Sequence, residues 1–388
     1  MPVSEHEITS RVRVMKSRSA EAERSAPRIL IIKRSSLGDV VHALPVACAL
    51  RDTYPEAYLA WMAETRFAGV LEGHPALDNI IAVERFPGAA EGGRIIDGLR
   101  TGRELRRLHF DWALDLQGLF KSSIFLVLSG ARRRIGMSDQ HREYSHLWCT
   151  EFAPEGQRPH AVWRYLQVAE YLGCDISSPR FDLRPTAQAS EWAQKMLSEA
   201  GIDLSRPLVG LNPGASRPHK QWPSQRFADL ANTMPHVQWV ILGGPSEVEL
   251  AHSISSQIAS THLVTAGQTS LPQLVGIIGR LDAMVTGDTG PMHIAAAMTV
   301  PTVALFGPTD PDKCGPFGDF HHVLSHPELC SEGGRRPSCR RRPPCRDYAC
   351  ILSITVDEVA AALSGMLERS QANSTTMREP QALSDRAE

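Results

Sequence analysis

The stretch Ile29-Leu30-Ile31-Ile32-Lys33-Arg34-Ser35-Ser36-Leu37-Gly38-Asp39-Val40-Val41-His42-Ala43-Leu44-Pro45 decides how this chain reads. Ile29–Ile32 is a short apolar run, mostly β-branched, of the kind that forms a buried strand. A small polar turn with one glycine follows, Ser35 to Asp39, and an apolar-periodic helix is expected over Val41–Asp52. A strand passing through such a turn into a helix puts the turn at the carboxyl edge of a parallel sheet, where open α/β sheets bind ligands. Asp39 places one carboxylate at the mouth of that site.

Outward from this stretch the same alternation repeats. Strands are expected at Tyr58–Met62, Asn79–Val83 and Trp112–Leu116, and helices at Arg66–Leu71, Gly98–Arg107 and Lys121–Leu128. This is the βαβ pattern of a parallel sheet. After helices at Val162–Leu172 and Ala189–Glu199, a second series opens at Leu208-Val209-Gly210-Leu211. Its strands fall at Gln238–Leu242, His262–Val264, Ala283–Val285 and Thr302–Phe306. Its helices fall at Arg226–Thr233, Glu247–Ser256, Leu271–Gly279 and Pro291–Ala297. The chain therefore reads as α/β, with two Rossmann-like domains facing each other across a cleft. Residues 1–26 read as a flexible arm and 371–388 as a disordered tail, both polar and aperiodic.

Bulk properties narrow the class. The chain has 388 residues, enough for two ordinary domains, with 42% hydrophobic and 22% charged residues. A formal net charge of -2 argues against a general nucleic-acid binder. No apolar run approaches the ~20 residues of a membrane helix, and the N-terminus lacks a signal peptide's apolar core. A cytoplasmic protein is the expectation. Cys330, Cys339, Cys345 and Cys350 cluster as C-x8-C-x5-C-x4-C. In a cytoplasmic chain such a cluster suggests a structural zinc or iron before disulfides, although the spacing matches no standard zinc signature.

Three loops of the second half follow strands. In Asn212-Pro213-Gly214-Ala215-Ser216-Arg217-Pro218-His219-Lys220 small residues allow close backbone approach, and Lys220 is a point charge suited to phosphate. A proline-rich surface loop with a solvated lysine is the alternative. In Leu242-Gly243-Gly244-Pro245-Ser246-Glu247, Glu247 reads as a helix-start cap or as a holder of ribose hydroxyls. In Thr286-Gly287-Asp288-Thr289-Gly290-Pro291-Met292-His293, Pro291 suits a first helical position, and the free N–H groups there would cradle a diphosphate with His293 beside them. An aspartic-protease reading of Asp-Thr-Gly fails, since that chemistry needs two carboxylates sharing a proton. In the first half, Lys121 on a strand-to-helix turn suits an anionic acceptor. Arg132, Arg133 and Arg134 follow a helix and read as a solvated face. His42, three residues after Asp39, either orients a substrate or packs against its own domain.

Lys33 to Pro45 resembles the N-terminal signature of the ADP-heptose:lipopolysaccharide heptosyltransferases, glycosyltransferase family 9. The likeness continues at Asp115-Leu116-Gln117-Gly118-Leu119-Phe120-Lys121-Ser122, at Lys220-Gln221-Trp222-Pro223, from Gly287 through Ala297, and at Phe306-Gly307-Pro308-Thr309-Asp310-Pro311. It spans Arg28 to Leu367 in the family's order. The resemblance implies a GT-B fold, with residues 27–186 as an acceptor-side domain and 187–370 as the nucleotide-sugar domain. It implies inverting heptose transfer from ADP-heptose to the inner core of lipopolysaccharide, with Asp39 as catalytic base and no cofactor required for catalysis. Donor contacts fall to Ser216, Lys220, Glu247 (or Glu249), Asp288, Thr289, Gly290 and His293, and acceptor contacts to Ser36, His42 and Lys121. The partners implied are ADP-heptose and a lipid-linked anionic sugar, with transient contact at the inner face of the cytoplasmic membrane. A monomer is expected, and no nucleic acid.

Other readings share parts of this pattern. A family 9 enzyme with another acceptor, a protein or a different glycan, or another sugar fits the same residues. A nicotinamide dehydrogenase would want Gly-x-Gly-x-x-Gly after the first strand, which Ser35 to Asp39 does not supply. An inactive nucleotide-sugar-binding protein would have no need to retain Asp39, Lys220 and Asp288 together.

Overall fold

In a computed structural model the residues described are 26–84, 93–139, 143–215, 217–329 and 348–376. They build two six-stranded sheets. The first contains β1 (Arg28–Ile32), β2 (Tyr58–Glu64), β3 (Asn79–Val83), β4 (Trp112–Asp115), β5 (Arg133–Met137) and β6 (Glu151–Ala153). The second contains β7 (Leu208–Asn212), β8 (Gln238–Ile241), β9 (His262–Val264), β10 (Ala283–Gly287), β11 (Thr302–Phe306) and β12 (His322–Ser325). All pairings are parallel. The orders are β3-β2-β1-β4-β5-β6 and β12-β11-β10-β7-β8-β9. Read from its own first strand, each sheet has the doubly wound order of a Rossmann fold, so each reverses direction between its first and fourth strands.

The strands follow from their sequences. Ile29 to Ile32 are fully buried, as are all five residues of β7, β10 and β11. Continuous apolar runs suit strands covered on both faces. Within β7, Gly210 leaves room for Leu281, whose Cδ1 would stand 2.6 Å from a Cβ there. β5, β6 and β12 have no counterpart in the periodicity reading, because β5 opens on two arginines, β6 is only three residues long and β12 is a partly exposed edge.

The arginine run is correspondingly not a uniform solvated face. Arg133 pairs with Glu151 at 2.7 Å, and Arg134 donates to the Trp148 carbonyl at 2.7 Å. The single helix expected over Val41–Asp52 is two, Leu37–His42 and Leu44–Thr53. The break has a cause in Pro45, which cannot donate inside an uninterrupted helix but is tolerated in a first turn. The last helix, Val356–Thr376, runs past residue 370, where the sequence reading ends the second domain. It packs Val359, Leu363, Met366 and Leu367 on the core of the second sheet. Trp222 Nε1 and Arg226 hold the approach to it through the Ile354 carbonyl, at 2.9 Å and 2.7 Å.

The chain divides into two compact units. One takes the chain up to Ser35, Pro45–Glu155 and Tyr165–Pro179; the other takes Ser36–Leu44, Gly156–Arg164 and Arg180 onward. The helix bearing Asp39, though continuous in sequence with β1, therefore packs within the unit built on the second sheet.

Candidate active site

In the second sheet β7 and β10 lie side by side where the order reverses, so the loops leaving their carboxyl ends open a crevice. Asn212 ends β7 and is buried. Its side-chain amide donates to Thr286 Oγ1 and Thr289 Oγ1, both at 2.9 Å, tying the two loops together. Thr289 precedes helix Gly290–Ala297, but its side chain is committed to Asn212 and does not cap that helix. Pro291 in the first turn has no N–H to satisfy. The helix start thus offers its N–H groups and the positive end of its dipole to an anion.

Lys220 and Asp288 form a 2.6 Å ion pair at the same edge, their side chains 21% and 11% exposed. Gly287 lets the Lys220 loop pass close, since a Cβ there would lie 3.2 Å from the Lys220 carbonyl oxygen. The Glu247 carboxylate accepts the Gly244 N–H, which matches the capping reading. It also lies against Gly214, where any Cβ would overlap it, and so stands between the loops after β7 and β8. Glu249 is exposed on the next helix.

Asp39 belongs to this same unit. Its Oδ2 accepts the Ser36 N–H at 3.1 Å and the Ser36 hydroxyl at 2.8 Å, which fixes the carboxylate over its own turn. Helix Leu37–His42 packs on helix Gly290–Ala297 by a reciprocal exchange of glycines. A Cβ on Gly290 would stand 2.6 Å from Leu37 Cδ2, and a Cβ on Gly38 would collide with the His293 ring. His42 then meets His293 edge-to-face, ring centroids 4.1 Å apart. His42 is buried, its ring against those of His293 and His160 within the second unit. Burial pushes the His293 imidazole down to about 4, against the upward pull of Asp288 and Asp39, so it is neutral at pH 7.

This packing makes Gly38→Ala a sharp probe. The added methyl must displace the His293 ring from a closed core, and overpacking of that kind costs about 1–3 kcal/mol. Calorimetry should show a lower Tm for the variant; an unchanged Tm would mean the two helices are not in this contact.

The first sheet has its own switch point, and there Lys33, Asp115 and Gln117 are bonded into the fold. Asp115 is buried and accepts from Gln117 N, Gly118 N, Ser122 Oγ and Ser123 Oγ at 2.9–3.2 Å. Burial nevertheless holds its pKa above the ordinary carboxylate range. Gln117 Oε1 in turn accepts the Arg34 and Ser35 N–H groups, both at 3.1 Å, joining the ends of β1 and β4. Lys33 is buried, donating to the Leu116 carbonyl at 2.9 Å beneath the Tyr165 ring. Lys121 sits in helix Phe120–Leu128 of this first unit, and its side chain lies outside the described residues. So do Ser216, Cys330, Cys339 and Cys345. Cys350 lies in helix Ala349–Leu352. Among the described residues no group of three or more His, Cys, Asp or Glu side chains could hold a metal ion.

The model of glycosyltransferase family 9 (heptosyltransferase) matches residues 99–340. The chain belongs to this family. It is 31% identical to lipopolysaccharide heptosyltransferase 2 of Salmonella typhimurium, over 76% of this chain and 87% of that one. It is 26% identical to the lipopolysaccharide core heptosyltransferase OpsX of Haemophilus influenzae, over 77% and 85%. The solved structure of E. coli ADP-heptose lipopolysaccharide heptosyltransferase II superposes with a TM-score of 0.71 at 25% identity, covering 89% of this chain and 99% of that one. This family 9 protein is accordingly a glycosyltransferase of GT-B type with two Rossmann-like domains.

Two residues of the enzyme escaped the reading of its sequence. Asn212 carried a usable signal: an amide closing an all-buried strand must find partners, and here they are the two threonines of the β10 loop. His160, whose ring lies 5.1 Å from that of His42, carried none, because nothing local in the loop before helix Ala161–Tyr171 marks it.

Proposed function

We propose that the protein transfers heptose from ADP-heptose to the inner core of lipopolysaccharide with inversion at the anomeric carbon, Asp39 serving as general base. One observation carries this reading. The helix that presents Asp39 packs directly on the helix beginning at Gly290, so a carboxylate and an anion-binding helix start belong to one compact unit. The Salmonella relative is named for the lipopolysaccharide reaction and the E. coli structure for ADP-heptose, which supports that donor and that acceptor here.

The chemistry follows from charge. Asp39 takes the proton of an acceptor hydroxyl as its oxygen bonds to the anomeric carbon. The bond from that carbon to the diphosphate oxygen breaks on the opposite face, so the configuration inverts and ADP departs with the electron pair. Lys220 and the N–H groups at Gly290 meet the growing negative charge on the diphosphate, with Asp288, Thr289, His293 and Ser216 shaping the cradle. Glu247 accepts hydrogen bonds from the ribose hydroxyls. Ser36 holds the base and lines the acceptor's approach. Neutralisation by these groups leaves the step without need of a metal. A lipid-linked acceptor would bring the protein to a membrane surface; among the described residues no helix is long and apolar enough to cross one.

The test is incubation with ADP-heptose and a panel of truncated core acceptors, reading ADP release, product mass and anomeric configuration. Acceptor-dependent ADP release with an inverted product is expected. Release with none of the core acceptors would remove lipopolysaccharide from the reading, and a retained configuration would remove the single-displacement mechanism.

A further inference from the structure

The second unit contains a row of rings that runs outward from His293 of the donor cradle to residues the transfer chemistry does not otherwise use. His293 meets His42 at 4.1 Å between centroids, His42 meets His160 at 5.1 Å, and His160 meets Phe317 at 5.3 Å. The interplanar angles between the imidazoles are 69° and 74°, so each presents an edge to its neighbour's face. The row crosses three stretches of chain that are remote in sequence. His293 stands on the helix after the β10 loop, His42 on the helix of Asp39, and His160 in the segment Gly156–Arg164. Phe317 is held from behind by Trp163 and Phe181, at 5.8 and 5.6 Å.

Hydrogen bonding fixes the state of the outer ring. His160 Nδ1 accepts the Val162 N–H at 3.3 Å and therefore carries a lone pair. Nε2 faces the Gly315 carbonyl at 3.1 Å and therefore carries the proton. This is one neutral tautomer, and a second proton on Nδ1 would break the bond to Val162. Burial lowers the His160 pKa in the same direction. At the other end, His293 is buried, and its Nδ1 has no hydrogen-bond partner among the described residues.

We propose that His42 and His160 are positioning residues for glycosyl transfer: the row of rings holds the helix of Asp39 in place against the donor helix, and protonation of His160 at acid pH releases it. The inference rests on the reading of Asp39 as the base. The titratable and charged groups that act on His293 are Asp288, Asp39, His160 and Lys220. A charge placed on His160 meets the rings of His42 and Phe317 in a water-poor setting, and the loss of edge-to-face packing falls on the helix that carries the carboxylate. A small misplacement of a reacting group is enough to slow transfer strongly.

The experiment is the pH profile of kcat, with ADP-heptose and acceptor saturating, for the full-length protein and two variants. His160→Ala at pH 8 should lower kcat about tenfold while the KM for donor stays within about threefold, the split expected of an interaction realised in the transition state. His160→Phe, which keeps a ring and cannot titrate, should recover most of that loss. It should also move the acid limb of kcat to lower pH by about half a unit or more. ADP affinity measured by calorimetry reports whether each variant is folded, and if His160→Ala does not fold, His160→Phe decides through its acid limb. Wild-type kcat in His160→Ala, a loss confined to donor KM, or an unmoved acid limb in His160→Phe overturns the proposal. Asp39→Asn separates the two inferences. Turnover surviving in that variant while the acid limb still shifts in His160→Phe would remove the base assignment and leave the positioning role standing.

Discussion

Asp39→Asn is expected to lower kcat by about 10²–10⁴-fold, the range typical of a lost general base, while ADP binds with nearly unchanged affinity. The substitution is close to isosteric. The amide oxygen can still accept from Ser36 N and Oγ, which now share Oδ2 of the carboxylate. Helix Leu37–His42 should therefore keep its seat on helix Gly290–Ala297, and only proton acceptance disappears. Single-turnover transfer and isothermal titration with ADP measure the two quantities separately. Near-normal turnover would show that another group, or bulk water, takes the acceptor proton. A parallel collapse of ADP affinity would show instead that Asp39 matters for building the site.

The second large effect is expected at Lys220. Its ammonium is the positive partner in a 2.6 Å pair with Asp288, whose side chain is only 11% exposed. On the proposed reading, Lys220→Ala removes the cation that faces the diphosphate and also leaves Asp288 as an unpaired, poorly solvated carboxylate beside an anionic donor. Both changes oppose binding and departure of the diphosphate. The loss in kcat/KM for donor should be about 10²–10³-fold, comparable to removing one electrostatic contact to a developing anion. The double variant Lys220→Ala/Asp288→Asn should recover about tenfold of this, because residues in direct contact do not act additively. A rate at low donor concentration equal to wild type would dismiss the phosphate role. A double variant no better than the single one would dismiss the repulsion from Asp288.

Much of this protein was legible along the chain. Ile29–Ile32 and Leu208–Leu211 announce strands because residues buried on both faces of a parallel sheet are continuously apolar. The glycine turns after them are local features as well. Edge strands were not legible: Arg133 and Arg134 look like solvent-facing charge until Glu151 and the Trp148 carbonyl are seen beside them. The helix break at Ala43 was written in Pro45, though a continuous apolar pattern masked it.

The sequence by itself determined two doubly wound halves, the strand-to-turn junctions of the kind at which open α/β sheets bind ligands, and the identity of Asp39, Lys220, Glu247 and Asp288 as the groups worth weighing. These are consequences of side-chain periodicity and turn chemistry, which act over a few residues. Only the tertiary structure decided that Ser36–Leu44 leaves the unit of its own strand to pack with Gly290–Ala297. It alone decided that Asn212 ties two loops, and that three histidines from three separate segments form one row. Contacts of that range depend on shape, on a missing Cβ at Gly38 and Gly290 and on rings that fit edge to face. No local pattern records which distant side chain will fill the space a glycine leaves.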